Sequence, residues 1–276
     1  MAATPKKPAA KPKAALAKAP LSKAAAKTAA PKAAKASGPP DYSIVVPVFD
    51  ESGAAPTLAR EIAAAFAGTA FELIFVDDAS RDDTKAQLIA LKAEIPQLRV
   101  LGHRKNAGQS RAVRTGVIAS TAPIVVTLDG DGQNDPADAP RLAAALKAAG
   151  PEVGLIGGER AKRQDSWSKK YASRVANAAR RAMLNDQTSD AGCGLKVFRR
   201  DAFLLLPYFD HLHRYLPAMM LREGYQVAFE KVNHRPRETG VSKYNNLGRL
   251  WASVGDMTGV MWLQRRGRNP SGWDEV

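Results

Sequence analysis

From Ser43 onward, short runs of Val, Ile, Leu and Phe alternate with Ala-rich stretches of helical length, and this alternation limits the possible folds more than any other feature. A run such as SIVVPV has no polar side in period two, so a strand there must be covered on both faces. Strands of that kind joined through helices make an α/β fold, a mostly parallel sheet flanked by helices. The pattern predicts strands at Ser43–Val48, Glu72–Val76, Leu98–Gly102, Ile124–Leu128 and Val153–Gly157. It predicts helices at Ala54–Phe66, Asp83–Glu94, Ser110–Ala119 and Asp138–Ala149. After Gly158 come a basic helix from Ser168 to Leu184, a mixed stretch, a strand at Gln226–Asn233 and a closing apolar helix.

Residues 1–40 stand outside this pattern, being Ala, Lys and Pro almost throughout, with nine lysines, no aromatic residue and no acid. Such a segment buries too little apolar surface to offset its ordering entropy, which predicts a disordered tail. The folded domain is then 41–246, and 247–276 is an amphipathic C-terminal helix with a short tail. Nine of the 41 basic residues lie in the first segment, leaving 32 against 27 acids, so most of the formal +14 belongs to the tail. A lysine-rich tail is commonly a solvated linker; its functional readings are attraction to anionic lipid or to nucleic acid. The domain offers no aromatic stacking platform and no helix-turn-helix signal, so nucleic acid is not an expected partner.

Cys193 is the only cysteine, which rules out an intrachain disulfide and fits a reducing compartment. No apolar stretch with a cleavage site follows the basic start, so no signal peptide is expected. Leu247 to Leu263 holds Arg249, Asp256 and three glycines and falls short of a membrane span.

In an open parallel sheet, ligands bind outside the carboxyl ends of the strands, and the acids of this chain gather there. In IVVTLDGDGQNDP, Ile124 to Pro136, a strand ends in Asp129 and Asp131 separated by Gly130. That spacing presents two hard oxygen ligands to one divalent cation, Mg²⁺ or Mn²⁺. A calcium loop is the competing reading, and it fails because Asn134 stands where Gly is needed and Pro140 where Glu is needed. LIFVDDASRDDT, Leu73 to Thr84, ends a second strand in Asp77 and Asp78, acids that can accept from base and ribose groups. Asp82 or Asp83 suits the cap of the next helix. Neither a dinucleotide fingerprint nor a P-loop occurs, and His103, His211, His213 and His234 show no ligand spacing and no triad, which leaves them as surface or packing residues.

The ordered set SIVVPVFDES, VDDASRDDT, NAGQSRAVRTG, LDGDGQNDP, GERAKR, DAGCGLKVFRRD and RETGVSKY resembles family 2 glycosyltransferases with the GT-A fold. Within that family it is most similar to the dolichol-phosphate mannose synthase branch and its bacterial polyprenyl-phosphate relatives, over Asp41 to about Arg266. The resemblance implies a metal-dependent, inverting transfer of a hexose from a nucleotide diphosphate sugar to a polyprenyl phosphate, dolichyl or undecaprenyl. It implies a cytoplasmic protein, peripheral on the inner face of a membrane. It further implies that Pro47, Phe49 and Glu51, with Asp77 and Asp78, line the nucleotide pocket, and that Asp129, Asp131 and Gln133 bind the cation with the donor diphosphate. Arg160, Lys169 and Ser173 would meet the acceptor phosphate, and Arg237, Ser242 and Lys243 would form a basic loop over the phosphates. Phe49–Asp50 stands where the family often has Tyr–Asn, and no pair of long apolar helices follows Tyr244.

A phosphate monoester is already about 90% dianion at pH 7, so such an acceptor needs no general base. Family 2 transfer to a hydroxyl of a glycan or glycolipid is the alternative, and it would need one. Asp190 is a candidate site acid or equally a turn cap. Lys169, Ser173 and Asn177 recur at four-residue spacing, one helix face that can grip a phosphate or simply be solvated. In the last helix, Leu247, Leu250, Trp251, Val254, Met257, Met261 and Trp262 form an apolar set beside Arg265, Arg266 and Arg268, suited to a lipid interface or to packing on the domain.

Overall fold

The computed structural model describes residues 38–161, 180–181, 183–186, 188, 190–236 and 246–268, all within the compact unit Pro31–Val276. Lys169, Ser173, Arg237, Ser242 and Lys243 lie outside the described residues, as do almost all of the expected tail and most of the basic helix at Ser168–Leu184.

A seven-stranded sheet carries the fold: β1 (Tyr42–Val48), β2 (Phe71–Asp77), β3 (Leu98–Gly102), β4 (Ile124–Thr127), β5 (Val153–Arg160), β6 (Lys196–Arg199) and β7 (Gln226–Val232), in the order β3-β2-β1-β4-β6-β5-β7. β3, β2, β1 and β4 pair in parallel, β6 runs antiparallel to both β4 and β5, and β7 is parallel to β5. Two reversals through β6 leave β5 pointing the same way as β4. The carboxyl ends of β1, β2, β4 and β5 therefore share one edge, and the acids and Arg160 end up there together.

All seven residues of β1 are buried, and they alternate in destination. Ile44, Val46 and Val48 join Leu73, Phe75 and Val126 on one face, under the helices α1 (Ala55–Ala65), α2 (Thr84–Ala90) and α4 (Ala139–Ala148). Val45, Ile74, Val76 and Val125 pack on the other face with α3 (Gln109–Ala119), α5 (Arg200–Leu205), α6 (Leu212–Arg222) and α7 (Asn246–Arg266). Each fully buried Val, Leu, Ile or Phe contributes about 1.5–3 kcal/mol relative to exposure, so the two-sided burial explains why these strands read as continuous apolar runs. Pro47, in a central strand, lies beyond the last β1–β4 pair, Val45 with Thr127, where its missing N–H costs no ladder bond.

The predicted strands and helices up to β5 are present, with ends moved by a few residues. The helix expected over Asp83–Glu94 is α2 followed by a 3₁₀ turn at Leu91–Ala93, the shortening that a Pro following Ile95 favours. The mixed stretch after Leu184 contains β6, α5 and α6. β6 escapes pattern reading because its four residues, KVFR, place a lysine in the core and give no period. α7 sends Val260, Met257, Met261 and Leu263 to the domain and leaves Val254 and Trp262 exposed. Among the described residues, no helix is long and apolar enough to cross a membrane.

Candidate active site

The turn leaving β4 is shaped by close approach to β1. A Cβ on Gly130 would lie 2.6 Å from Val48 Cγ1 and 2.7 Å from Pro47 O, so only glycine lets the Asp129–Asp131 turn lie against the end of β1. Asp129 N–H donates to Asn134 Oδ1 at 3.0 Å, and Asp131 Oδ1 accepts from Gln133 N–H at 3.1 Å, which fixes the turn from inside. Gln109, first residue of α3, donates from Nε2 to Asp129 Oδ1 at 2.7 Å. Burial, and next the charge of Asp131, push the Asp129 carboxyl up to about 6. Two carboxylates at one strand end, one raised by crowding, are a hard oxygen set that a divalent cation relieves. No group of three or more His, Cys, Asp or Glu is placed to hold a metal ion among the described residues. A cation here would take its remaining ligands from an amide such as that of Gln133, from water and from substrate phosphates, as magnesium sites do.

Behind Asp129 runs the turn that enters β6. A Cβ on Gly194 would lie 2.2 Å from the Asp129 carboxylate, so this glycine is the surface on which the carboxylate rests. Lys196 is buried, donates from Nζ to Cys193 O, and has its pKa lowered by burial. Thr127 Oγ1 lies 3.2 Å from Gly194 O, joining β4 to the same turn.

Arg160 ends β5, and its charge helps offset the rise in the Asp129 pKa. Its guanidinium holds Asp190 in a fork, Nε to Oδ2 at 2.6 Å and Nη2 to Oδ1 at 2.7 Å. The candidate acid Asp190 is thus a partner of the candidate phosphate ligand.

The two loops expected to form the nucleotide pocket are tied to each other. Asp50, in the left-handed region at φ 53°, donates its N–H to Ser80 Oγ and accepts from Arg81 N–H on Oδ1 at 2.7 Å. Asp is one of the few residues that adopts that conformation readily, as Asn does. Glu51 N–H donates to Thr84 Oγ1 at 2.8 Å, and the Arg81 guanidinium lies 5.4 Å from the centre of the Phe49 ring. Asp83 stands at the N-cap of α2 without a side-chain cap bond, and Asp82, one residue earlier, accepts from Thr84 N–H at 3.0 Å and Ser52 N–H at 3.1 Å. Asp77 and Asp78 are both buried, with different tasks. Asp77 accepts from Ser80 N–H within its own loop. Asp78 reaches across to the loop before α3, accepting from Ala107 N–H at 2.9 Å and Gly108 N–H at 2.8 Å, with His103 Nδ1 at 2.6 Å.

Pro47, Asp77, Asp78, Asp129, Asp131, Gln133, Arg160 and Asp190 therefore meet at one sheet edge. Four contributors were not singled out from sequence: Gln109, Gly194, Lys196 and His213, the last of which lies beside Asp129 in a small cavity. On the other side of the same turn, a groove of about 100 Å³ lies between Thr57, Glu61, Asp131 and Arg235, with Arg235 bonded to Glu61 at 2.7 Å and Asp135 at 2.8 Å.

The family model for glycosyl transferase family 2 matches residues 43–205. The undecaprenyl-phosphate 4-deoxy-4-formamido-L-arabinose transferase of Sodalis glossinidius is 35% identical over 207 residues, 74% of this chain and 62% of that protein. The dodecaprenyl-phosphate galacturonate synthase of Rhizobium johnstonii is 30% identical over 239 residues, 83% of this chain and 69% of that protein. The chain thus spans less than two thirds of the first relative's length. Glucosyl-3-phosphoglycerate synthase from Mycobacterium tuberculosis, solved with Mn²⁺, UDP and glucosyl-3-phosphoglycerate, superposes with a TM-score of 0.61 at 18% identity, covering 84% of this chain and 82% of that one. At that identity the likeness speaks for the fold, which is the GT-A arrangement expected from the sequence. With its sheet edge, paired acids and matching family model, the chain belongs to glycosyl transferase family 2.

Proposed function

We propose that the protein transfers a hexose from a nucleotide diphosphate sugar to a polyprenyl phosphate, with inversion, at a membrane surface to which it binds peripherally. The observation that carries this reading is the meeting of Asp129 and Asp131 with the Arg160 guanidinium at one sheet edge, in relatives' company whose names specify polyprenyl-phosphate acceptors. The carboxylate pair, with Gln133, suits Mg²⁺ or Mn²⁺. When bound, such a cation supplies positive charge to the leaving nucleoside diphosphate.

The chain's own residues do the rest. Pro47, Phe49, Glu51 and Asp77 border the nucleotide, Arg160 orients the acceptor phosphate with Lys169 and Ser173, and Arg237, Ser242 and Lys243 form a basic loop over the donor phosphates. A dianionic acceptor attacks without a base, which leaves the Asp190 carboxylate to hold Arg160. The test is transfer of labelled hexose from UDP- and GDP-sugars to undecaprenyl or dolichyl phosphate, read as label entering the organic phase. Transfer only to glycan or glycolipid hydroxyls, with none to the lipid phosphates, would replace this reading with the hydroxyl-acceptor one.

A further inference from the structure

Beneath Asp129 lies a cavity of about 20 Å³, lined by Pro47, Gln109, Asp129, Gly194, Lys196 and His213 among others. That room takes one water molecule or one hydroxyl group and no whole sugar ring. Its polar walls are specific. Ser110 Oγ accepts from His213 N–H at 3.3 Å and lies 2.7 Å from His213 Nδ1. The Ser110 hydroxyl proton has no other acceptor among the described residues, so it goes to Nδ1, which puts the ring proton on Nε2. Burial, and then the charges of Lys196, Arg214 and His211, hold the His213 pKa well below its usual value, so the ring is neutral. Nε2 makes no hydrogen bond among the described residues, and His213 lines the cavity. Lys196 spends one ammonium proton on Cys193 O and has two more. Asp129, on the opposite wall, is an acceptor.

We propose that this cavity reads a single hydroxyl of the donor sugar, which accepts from His213 Nε2–H and the Lys196 ammonium and donates to Asp129, making His213 a specificity-determining residue. The inference rests on the reading that Asp129 and Asp131 hold the donor diphosphate, since the sugar is bonded to that diphosphate and must lie beside it. A hydroxyl both donates and accepts and is small enough for about 20 Å³, which an acetamido or formamido group is not, and a hydrogen or methyl there would leave two buried donors without partners.

The experiment is calorimetry with Mn²⁺, comparing UDP with UDP-glucose and UDP-galactose, and GDP with GDP-mannose. The quantity followed is the gain in affinity that the sugar adds to its own nucleoside diphosphate. His213→Phe keeps a ring and removes the donor; it should cut that gain about 3- to 30-fold and leave the affinity for the nucleoside diphosphate alone unchanged. His213→Gln, whose amide nitrogen reaches the place of Nε2, should retain most of the gain. If His213→Phe does not fold, Ser110→Ala, which releases the ring tautomer, should move the gain in the same direction. An unchanged gain, or equal losses for nucleoside diphosphate and nucleotide sugar, overturns the proposal while leaving the donor site standing. Wild-type protein that binds none of these nucleotides overturns both.

Discussion

The Arg160 guanidinium and the Asp190 carboxylate face each other as a two-pronged pair, at 2.6 and 2.7 Å, with side-chain exposures of only 16% and 7%. An arginine so engaged is pre-oriented for the phosphate contact proposed for it, and its removal has two consequences. Arg160→Ala should lower kcat/KM for the lipid phosphate about 10- to 150-fold through loss of charge-assisted hydrogen bonds. It should also destabilise the fold by about 3–5 kcal/mol, because a largely buried ion pair is broken and the Asp190 charge loses the guanidinium. Adding Asp190→Ala should restore the stability and not the rate. Denaturant titration beside transfer kinetics separates the two effects, and recovery of rate in the double variant would remove Arg160 from the acceptor site.

Asp129 ties the cation reading to pH. Its folded pKa, about 6, exceeds the ordinary 3.8, so its proton stabilises the folded state. Without cation, that contribution is fully present below pH 3.8 and is lost as pH rises through about 6. Asp129→Asn escapes the loss and should be more stable than wild type at pH 8 by about 1–3 kcal/mol in EDTA, though inactive. Mn²⁺ should reverse the order by stabilising wild type alone. Thermal melts of both proteins at pH 5 and pH 8, with Mn²⁺ and with EDTA, test this. A wild-type rate unaffected by EDTA would falsify the cation assignment.

Gly194→Ala tests the resting place of the same carboxylate. A methyl 2.2 Å from Asp129 forces either the carboxylate or the turn to move, and a shift on the order of 1 Å in a catalytic group can cost about 100-fold in rate. The Mn²⁺ concentration giving half-maximal rate should rise, while Lys196 keeps the turn folded. A variant with normal metal dependence would show that the turn yields without disturbing Asp129.

What was legible in the sequence follows from which interactions are local. β1, β2 and β4 repeat one device, a two-sided apolar run ending in acids, so strands, helices and Asp129–Gly130–Asp131 could all be read from adjacent residues. β6 could not, because a buried lysine in a four-residue strand looks like surface until Asp129 and the rest of the cavity wall are brought to it by the fold. His213 was classed with packing histidines for the same reason: Ser110 is 103 residues away. Asp78 was paired with Asp77 because they are neighbours in the chain, whereas its carboxylate spans to residues 103–108.

The lysine-rich segment gives a prediction independent of the fold. Deleting Met1 to Pro40 should leave transfer to detergent-solubilised acceptor unchanged and weaken binding to anionic vesicles, since each lysine near such a surface contributes about 1 kcal/mol. Raising salt should narrow the difference between the two forms, because charges are screened beyond roughly 8 Å at physiological ionic strength. Equal vesicle sedimentation by both forms at low salt would reduce the segment to a linker.

The role of Asp78 can be separated from that of a nucleotide ligand by an isosteric change. Its two oxygens accept from Ala107 N–H, Gly108 N–H and the His103 ring, and its backbone carbonyl accepts from Asn106 Nδ2 at 3.1 Å. Together these fix the loop that delivers α3, whose first residue is Gln109 on Asp129. Asp78→Asn keeps the shape and exchanges one acceptor for a donor, so at least one buried N–H loses its partner, at a cost of about 1–3 kcal/mol. If Asp78 acts through the loop, stability and donor affinity should fall together, and Gln109→Ala should reproduce the affinity loss without the drop in stability. Were Asp78 instead a direct nucleotide contact, Asp78→Asn would weaken UDP or GDP binding with an unchanged melting temperature. Melting curves and calorimetry on the two variants decide between a ligand and a brace.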